Sequence, residues 1–480
     1  MGTGSNENES RKERWFFALA TFDEEPVDGD NRQYVTLDSL AEDGLYLLRE
    51  LPLRYLGRYV DELPPQLLLL RCLRADFSRH TKEPEGANFL WLRVLVSAQS
   101  DGDGVPAEVV QYADEVEVPT VWINRFEPVG RGFVDHWEFL TEIRYTQPST
   151  PSLVAGVLDH AMRDADFVSV GVFDVGQGSC SAILDEACSP RVYYDLGWPA
   201  NFNGKSRPAH KPGILDFGRA APVIISHWDM DHWAFAIEGM KYDRAELAMR
   251  PVWKDEALHR VWIAPNPRKT GHPVGPFLQS LLWALEYEEL MPGINALQLL
   301  PDDLTYIDLT WGRLEVCEPP AGVEPNRNNT GLALWVYGPE NQMMLLTGDA
   351  DFNCIAGLSA KRRRRLVGMV VPHHGARVTA TDVPKPAFHE DGYAVVSVGG
   401  PNVYGHPKQD AINSYLAKRW NVRYTKRRRP CQYCEDGRPH GNIRMLFDEN
   451  PPFGTCNGFG YDSICLHPVS LEFEEIEELE

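Results

Sequence analysis

The chain lacks any long hydrophobic run. Near its start the longest apolar stretch, Trp15 to Phe22, runs straight into Asp23-Glu24-Glu25. No run approaches the roughly 18 apolar residues at which a membrane-spanning helix becomes credible. Positive charge is also short. The 47 Lys and Arg face 69 Asp and Glu, a net charge of −22, which argues against a whole-surface nucleic-acid binder and leaves room only for local basic clusters. Cysteine is sparse: nine in 480 residues, an odd number, does not read as an extracellular disulfide framework. Internal repeats are absent. What remains is 43% hydrophobic and 24% charged, an ordinary globular composition long enough for two or three domains. The expectation is a soluble, cytoplasmic protein with no membrane association.

Texture divides the chain. Residues 1–14 read as a frayed polar tail and residues 15–150 as an accessory α+β domain without evident chemistry. Within it, Leu45 to Leu73, broken by Pro52 and Pro64-Pro65, reads as short helices. Asn88 to Ala98 and Pro119 to Phe126 read as strands flanking the Gln99–Pro106 loop. The run Gln147-Pro-Ser-Thr-Pro-Ser152 reads as a linker. Residues 165–470 then form the chemistry-bearing domain, with a Cys-containing insertion at about 426–440, and residues 471–480 an acidic tail. In that second part short apolar strands (Val168–Phe173, Arg191–Tyr194, Pro222–Ile225, Leu332–Tyr337, Met343–Leu346, Val367–Val371, Ala394–Val398) mostly end in polar clusters. This points to an α/β layered core with its chemistry in the loops.

Ser226-His227-Trp228-Asp229-Met230-Asp231-His232 follows the apolar Val223-Ile224-Ile225. Four metal-type ligands at a strand mouth need a counter-charge, because burying several unpaired is prohibitive. A dication supplies it. His227 and Asp229 suit one ion, and Asp231 with His232 are offset toward a second. Further on, Thr347-Gly348-Asp349, Pro372-His373-His374-Gly375 and Asn402-Val403-Tyr404-Gly405-His406-Pro407 each follow an apolar strand, so three more strand ends deliver ligand or acid–base side chains.

These motifs, preceded by Phe173-Asp174-Val175-Gly176-Gln177-Gly178-Ser179 and Tyr194-Asp195-Leu196-Gly197 and including Asn328-Asn329-Thr330, resemble in order those of the metallo-β-lactamase fold. They are most similar to its ComEC-like branch, the hydrolase domain of DNA-uptake competence proteins. The sequence departs from that branch at Trp233-Ala234-Phe235, where a small residue and Gly-Gly are usual, and at Ser179-Cys180. The resemblance implies an αββα sandwich and a metallohydrolase acting through two divalent ions, Mn2+ or Zn2+ with Mg2+ also allowed. Its ligands would be His227, Asp229, Asp231, His232, Asp349 and His374, with Asp349 bridging. Catalytic roles would fall to Asp231 (orienting water), His373 (a phosphate contact) and His406 (a general acid).

A two-metal clamp suits phosphodiesters, so the expected function is a nuclease on DNA or RNA. Two basic clusters supply candidate nucleic-acid contacts, Arg362, Arg363 and Arg364 in one and Arg427 and Arg428 in the other. Alternatives are a hydrolase of a small phosphodiester or another ester, and a defence-type effector or binding module holding metal structurally. A protein partner could engage the N-terminal domain. Cys431, Cys434, Cys456 and Cys465 form a candidate structural Zn2+ site.

Overall fold

The computed structural model describes the chain except residues 1–12, 23–31, 46–65, 83–88, 113–118, 142–147, 166–167, 210, 216–219, 270–272, 287, 292–293, 360–364, 388–391, 431–438, 448–466 and 469–480. Six strands open it: β1 (Glu13–Phe22), β2 (Tyr34–Ala41), β3 (Leu67–Leu73), β4 (Phe89–Ser97), β5 (Val105–Val109) and β6 (Thr120–Pro128). They pair antiparallel in the order β3-β2-β1-β4-β6-β5, and β5 returns to β3 through Leu70↔Val109 and Arg71↔Glu108. The sheet therefore closes into a six-strand barrel, which removes its edges. Alternation fits one inward face: Phe16, Ala18 and Ala20 on β1, Val35 and Leu37 on β2, and Val94 and Val96 on β4 are all fully buried. Leu67–Leu73 is a strand where helix was expected, because nearly every residue of Leu-Leu-Leu-Leu-Arg-Cys-Leu is buried and packing overrides leucine's helical propensity.

A second sheet starts with β7 (Ser169–Val172), β8 (Cys180–Leu184), β9 (Pro190–Leu196) and β10 (Val223–Ile224). The next two strands, β11 (Ile237–Asp243) and β12 (Ala248–Trp253), leave it and extend the barrel's sheet, β12 pairing with β3 at Met249↔Leu67. The second sheet resumes with β13 (Trp262–Ala264), and past a small hairpin of β14 (Glu289–Met291) and β15 (Ile294–Asn295) it gains β16 (Leu297–Leu299). A third sheet runs β17 (Tyr306–Leu309), β18 (Gly312–Val316), β19 (Leu332–Tyr337), β20 (Gln342–Leu346), β21 (Arg365–Val370), β22 (Tyr393–Val396), β23 (Asn421–Tyr424), in spatial order. Its first four strands pair antiparallel and β20 to β23 parallel.

Period-2 burial explains how the sheets stack. Val192 and Tyr194 on β9 and Ile224 on β10 share one core with Leu332, Leu334 and Val336 on β19 and Val395 on β22. The intervening Tyr193, Val223 and Ile225 face the opposite way, into one continuous core with the barrel's Phe16, Leu37 and Val94 and with Phe277 and Leu281 of the helix Pro276–Glu286. On the third sheet, Ala333, Trp335 and Val396 pack against the helix Gln409–Ala417 through Ile412 and Tyr415.

The expected α/β class, an αββα sandwich beside an α+β domain, is overturned. Among the described residues strand exceeds helix by 36% to 23%, and they combine a closed antiparallel barrel with several sheets. The physical reason lies on the second sheet's far face, where the barrel and one helix replace a helical layer. Among the described residues no helix is long and apolar enough to cross a membrane.

Candidate metal centre

The candidate site forms where strand ends meet. In the second sheet β9 and β10 run parallel, and in the third so do β20, β21 and β22. Parallel strands deliver the residues that follow them to one edge, the usual place for a site in such sheets. Asp195 lies in the last residues of β9, Ser226 and His227 follow β10, Asp349 follows β20, His373 and His374 follow β21, and Ser397 follows β22. The turns are tight. Gly348 has a φ of +56°, and a Cβ there would lie 2.5 Å from Ser226 Cβ, so only glycine fits between β20 and Asp349. His373 and His374 take left-handed backbone at φ +49° and +52°, a conformation non-glycine residues adopt only when their surroundings enforce it.

Asp349 is the hub. Its Oδ1 lies 3.2 Å from His232 Nε2, and its Oδ2 lies 3.7 Å from both His227 Nε2 and His373 Nε2. Asp231 Oδ2 lies 3.0 Å from His374 Nε2, and Asp229 Oδ2 3.3 Å from His227 Nε2. Two trios, His227–His232–Asp349 and Asp231–His232–His374, each bring a ligand atom from every member within 4.8 Å of one another. Two ligand atoms about 2.1 Å from one cation, at tetrahedral or octahedral angles, stand about 3.0–3.4 Å apart. The observed spacings are close to that.

Hydrogen bonding behind the ligands fixes their orientation. The fully buried Asp195 accepts from Ser226 N at 2.7 Å, from Ser226 Oγ at 2.9 Å and from His232 Nδ1 at 2.8 Å. His374 Nδ1 donates to Ser397 O at 2.7 Å. Each imidazole therefore turns its Nε2 inward. The decisive observation is that the Nε2 atoms of His227 and His232 are buried and make no hydrogen bond. An orphaned buried nitrogen is costly unless something fills its lone pair, and a cation does so. These buried His and Asp groups can hold a metal ion.

The charges respond to this crowding. Burial opposes a proton on His232, yet Asp349, Asp195 and Asp231 together hold its pKa well above the usual value. Burial likewise opposes one on His374, where Asp231 prevails and raises it. For Asp349 burial would raise the carboxyl, but His232, His373 and His227 bring it well down. Asp231 is lowered too, His232 and His374 outweighing its burial. His406 goes the other way: burial, then His373, His374 and Lys408, push it down to about 2. It is thus a neutral imidazole, its Nδ1 3.5 Å from Gln177 Nε2 and its ring stacked on Tyr404.

The structure thus brings together His227, Asp229, Asp231, His232, Asp349, His373 and His374, with His406 beside them. Asp229 contacts His227 at the rim, its side chain 40% exposed, and belongs to neither trio. Arg428, a candidate nucleic-acid contact, engages buried Asp174 at 2.6 and 2.9 Å and Ser206 O through Nε and Nη2. Arg427 is exposed and lies over the Tyr424 ring. Arg362, Arg363 and Arg364, and Cys431, Cys434, Cys456 and Cys465, lie outside the described residues. Three residues with no role assigned from sequence belong to the site: Asp195, Ser226 and Arg327, whose Nη1 is 3.5 Å from Asp229 Oδ1. Asp195 belongs to the Tyr194-Asp195-Leu196-Gly197 motif, and its place at a strand end is the signal the sequence offers.

Comparison with known proteins adds no identity: no protein-family model, no curated protein and no solved structure matches the chain.

Proposed function

We propose that the chain is a metal-dependent hydrolase of phosphodiester bonds, with DNA or RNA as its substrate. The observation that carries this reading is the pair of orphaned, buried Nε2 atoms on His227 and His232 facing Asp349. His232 offers one free nitrogen, since Asp195 holds the other, so it serves one ion only. The geometry supports two. One would be held by Asp231, His232, His374 and Asp349 Oδ1; the other by His227, Asp229 and Asp349 Oδ2, with His373 beside it. A ligand set of three carboxylates and three or four imidazoles suits Mn2+ or Zn2+ and admits Mg2+. When bound, such ions polarise a phosphoryl oxygen and make water nucleophilic near neutral pH.

The chain's own groups do the rest. Asp195 and Ser397 O fix two imidazoles before substrate arrives, so little reorganisation is left for binding. His373, with 41% of its side chain exposed, stands at the opening where a phosphoryl group enters. His406 keeps a single proton for hydrogen bonding and adds no charge. The ordered motifs that resemble the metallo-β-lactamase family support the hydrolase reading at the level of motif alone.

A small phosphodiester is the second reading, favoured by the pairing of Arg428 with Asp174, which offsets part of one basic cluster's charge. The test is to incubate the protein with plasmid, single-stranded DNA, RNA and bis-p-nitrophenyl phosphate, adding Mn2+, Mg2+ or Zn2+, with Asp231→Ala and Asp349→Ala as controls. Metal-dependent cleavage of polymer, absent in both variants, is expected. Cleavage of the small ester alone selects the second reading. Metal binding without any turnover refutes the hydrolase and leaves a module with a structural metal.

A further inference from the structure

Arg327 precedes the Asn328-Asn329-Thr330 motif, and the turn that carries it is held from within. Asn326 N donates to Asn329 Oδ1 and Asn329 N to Asn326 Oδ1, each at 2.8 Å. Thr330 Oγ1 donates to Asn326 O at 2.6 Å and Asn329 Nδ2 to Glu324 O at 3.0 Å. These reciprocal bonds make the turn rigid. It is also pinned to the metal centre, because a Cβ on Gly331 would lie 2.7 Å from Ser226 O, and Leu332 N donates to that same oxygen at 2.8 Å. Asparagine and threonine in the motif thus build a platform abutting the residue before His227, and that platform carries a guanidinium.

The guanidinium is only partly engaged. Arg327 Nη2 donates to Pro273 O at 3.1 Å, while Nη1 stands 3.5 Å from Asp229 Oδ1, longer than the 2.7–2.9 Å of a good charge-assisted bond. Its Nε is buried and has no acceptor. The side chain keeps 25% of its surface exposed beside a cluster that also presents Asp231 and His373 to solvent. With Nη2 on Pro273 O and Nε buried, Nη1 is the loosely held donor of a fixed cation beside a carboxylate-rich centre, an arrangement that can donate to an oxyanion.

We propose that Arg327 contacts the substrate anion, taking a non-bridging oxygen of the phosphoryl group held at the metal centre. The proposal rests on the phosphodiesterase reading and adds a residue that determines which substrates bind. It also separates Arg327 from a merely positioning role, in which it would act by steadying Asp229.

The test uses the full chain and its Arg327→Ala and Arg327→Lys variants, each checked for an unchanged thermal transition. Inorganic phosphate is titrated by calorimetry into protein saturated with Mn2+, and Mn2+ is titrated separately. Loss of the guanidinium should weaken phosphate binding about tenfold or more in Arg327→Ala and less in Arg327→Lys, with Mn2+ affinity held within about twofold. Unchanged phosphate affinity overturns the proposal, as does a wild type that binds no phosphate. A parallel fall in Mn2+ affinity also overturns it and assigns Arg327 to Asp229. Turnover of bis-p-nitrophenyl phosphate by the wild type is scored separately. If it fails, the hydrolase reading falls while the two titrations still decide Arg327.

Discussion

Replacing Asp195 by asparagine changes one atom behind the site and nothing in front of it. Asp195 Oδ1 accepts from Ser226 N, and Oδ2 accepts from both Ser226 Oγ and His232 Nδ1. In Asp195→Asn the carbonyl oxygen keeps the buried backbone N–H satisfied, which places the new NH2 group against His232 Nδ1. Two donors then face each other. The imidazole relieves this by carrying its proton on Nε2, and that proton occupies the lone pair aimed at Asp349 Oδ1, 3.2 Å away. Ligand-orienting hydrogen bonds of this kind are worth about 10- to 100-fold in metal affinity, roughly 1.4–2.7 kcal/mol.

Calorimetric titration with Mn2+ reads this directly. The expected result for Asp195→Asn is an affinity lower by about one to two decades, together with loss of the Nδ1–H signal of His232 in the imidazole proton spectrum. Stability should fall by about 1–3 kcal/mol, because a charged buried acceptor becomes a neutral one, so circular dichroism must first show the variant folded. Ser226→Ala is the control: it removes the hydroxyl donor, leaves the Asp195–His232 bond, and should cost metal binding far less. A folded Asp195→Asn that binds Mn2+ as the wild type does would refute the argument that His232 is tuned from behind.

Three further outcomes follow from the same charges and packing. The carboxylates around His232 and His374 raise the pKa of both, so a proton competes with metal for these two imidazoles, whereas Asp231 and Asp349 are held on the ionised side. Metal must displace that proton, so Mn2+ affinity should rise with pH and heats of binding should vary with the buffer's ionisation enthalpy; a pH-independent affinity would be the wrong sign. Asp38 in the barrel caps the helix Pro276–Glu286 by accepting from Phe277 N at 2.9 Å, and burial, partly offset by that bond and by Arg327, raises its pKa to about 7. Its folded pKa exceeds the unfolded one, so the folded state binds the extra proton and stability falls as pH rises from about 4 to 7, by a few kcal/mol at most. Asp38→Asn should flatten that slope in urea titrations at pH 5 and pH 8, and an unchanged slope would refute it. Gly348→Ala should cost about 1–3 kcal/mol in the same assay, through its positive φ and the contact with Ser226.

What the sequence made legible was local. An apolar strand followed at once by a polar cluster is visible at Val223–His232, at Leu345–Asp349 and at Val370–His374, and those clusters converge. What it hid was long-range. Nothing in Leu67–Leu73 announces that it pairs with β2 along one edge and with both Val109 and Met249 along the other, because its burial is continuous and shows no alternation. Arg327 lies outside the motifs and Asp195 lies in one without an assigned role; each acquires its role from a partner brought close by the fold, Asp229 and His232. His406 was legible as a site residue, but not the direction of its pKa, which depends on burial and on His373, His374 and Lys408 beside it.

The barrel is the part whose place in the molecule a sequence reading most underrates. Tyr193, Val223 and Ile225 of the second sheet share one core with Phe16, Leu37 and Val94 of the barrel, and β12 lies at the barrel sheet's β3. Polar bonds cross the same boundary: Gln111 N donates to Asn201 Oδ1 at 3.1 Å, Tyr242 N donates to Gln111 Oε1 at 2.8 Å, and the Tyr112 hydroxyl reaches Met230 Sδ at 3.1 Å, between Asp229 and Asp231. Removing residues 1–150 would bare the apolar face behind the metal-bearing strand ends and unpair β12. At about 25 cal/mol per Å2 of apolar surface, a bared sheet face costs more than a typical domain's whole margin of stability. A chain beginning at residue 151 should therefore bind hydrophobic dye, melt without a cooperative transition and lose Mn2+ binding, whereas the full chain melts cooperatively. If that fragment folded and bound Mn2+ with the full chain's affinity, the barrel would be an appendage and the shared core would contribute little.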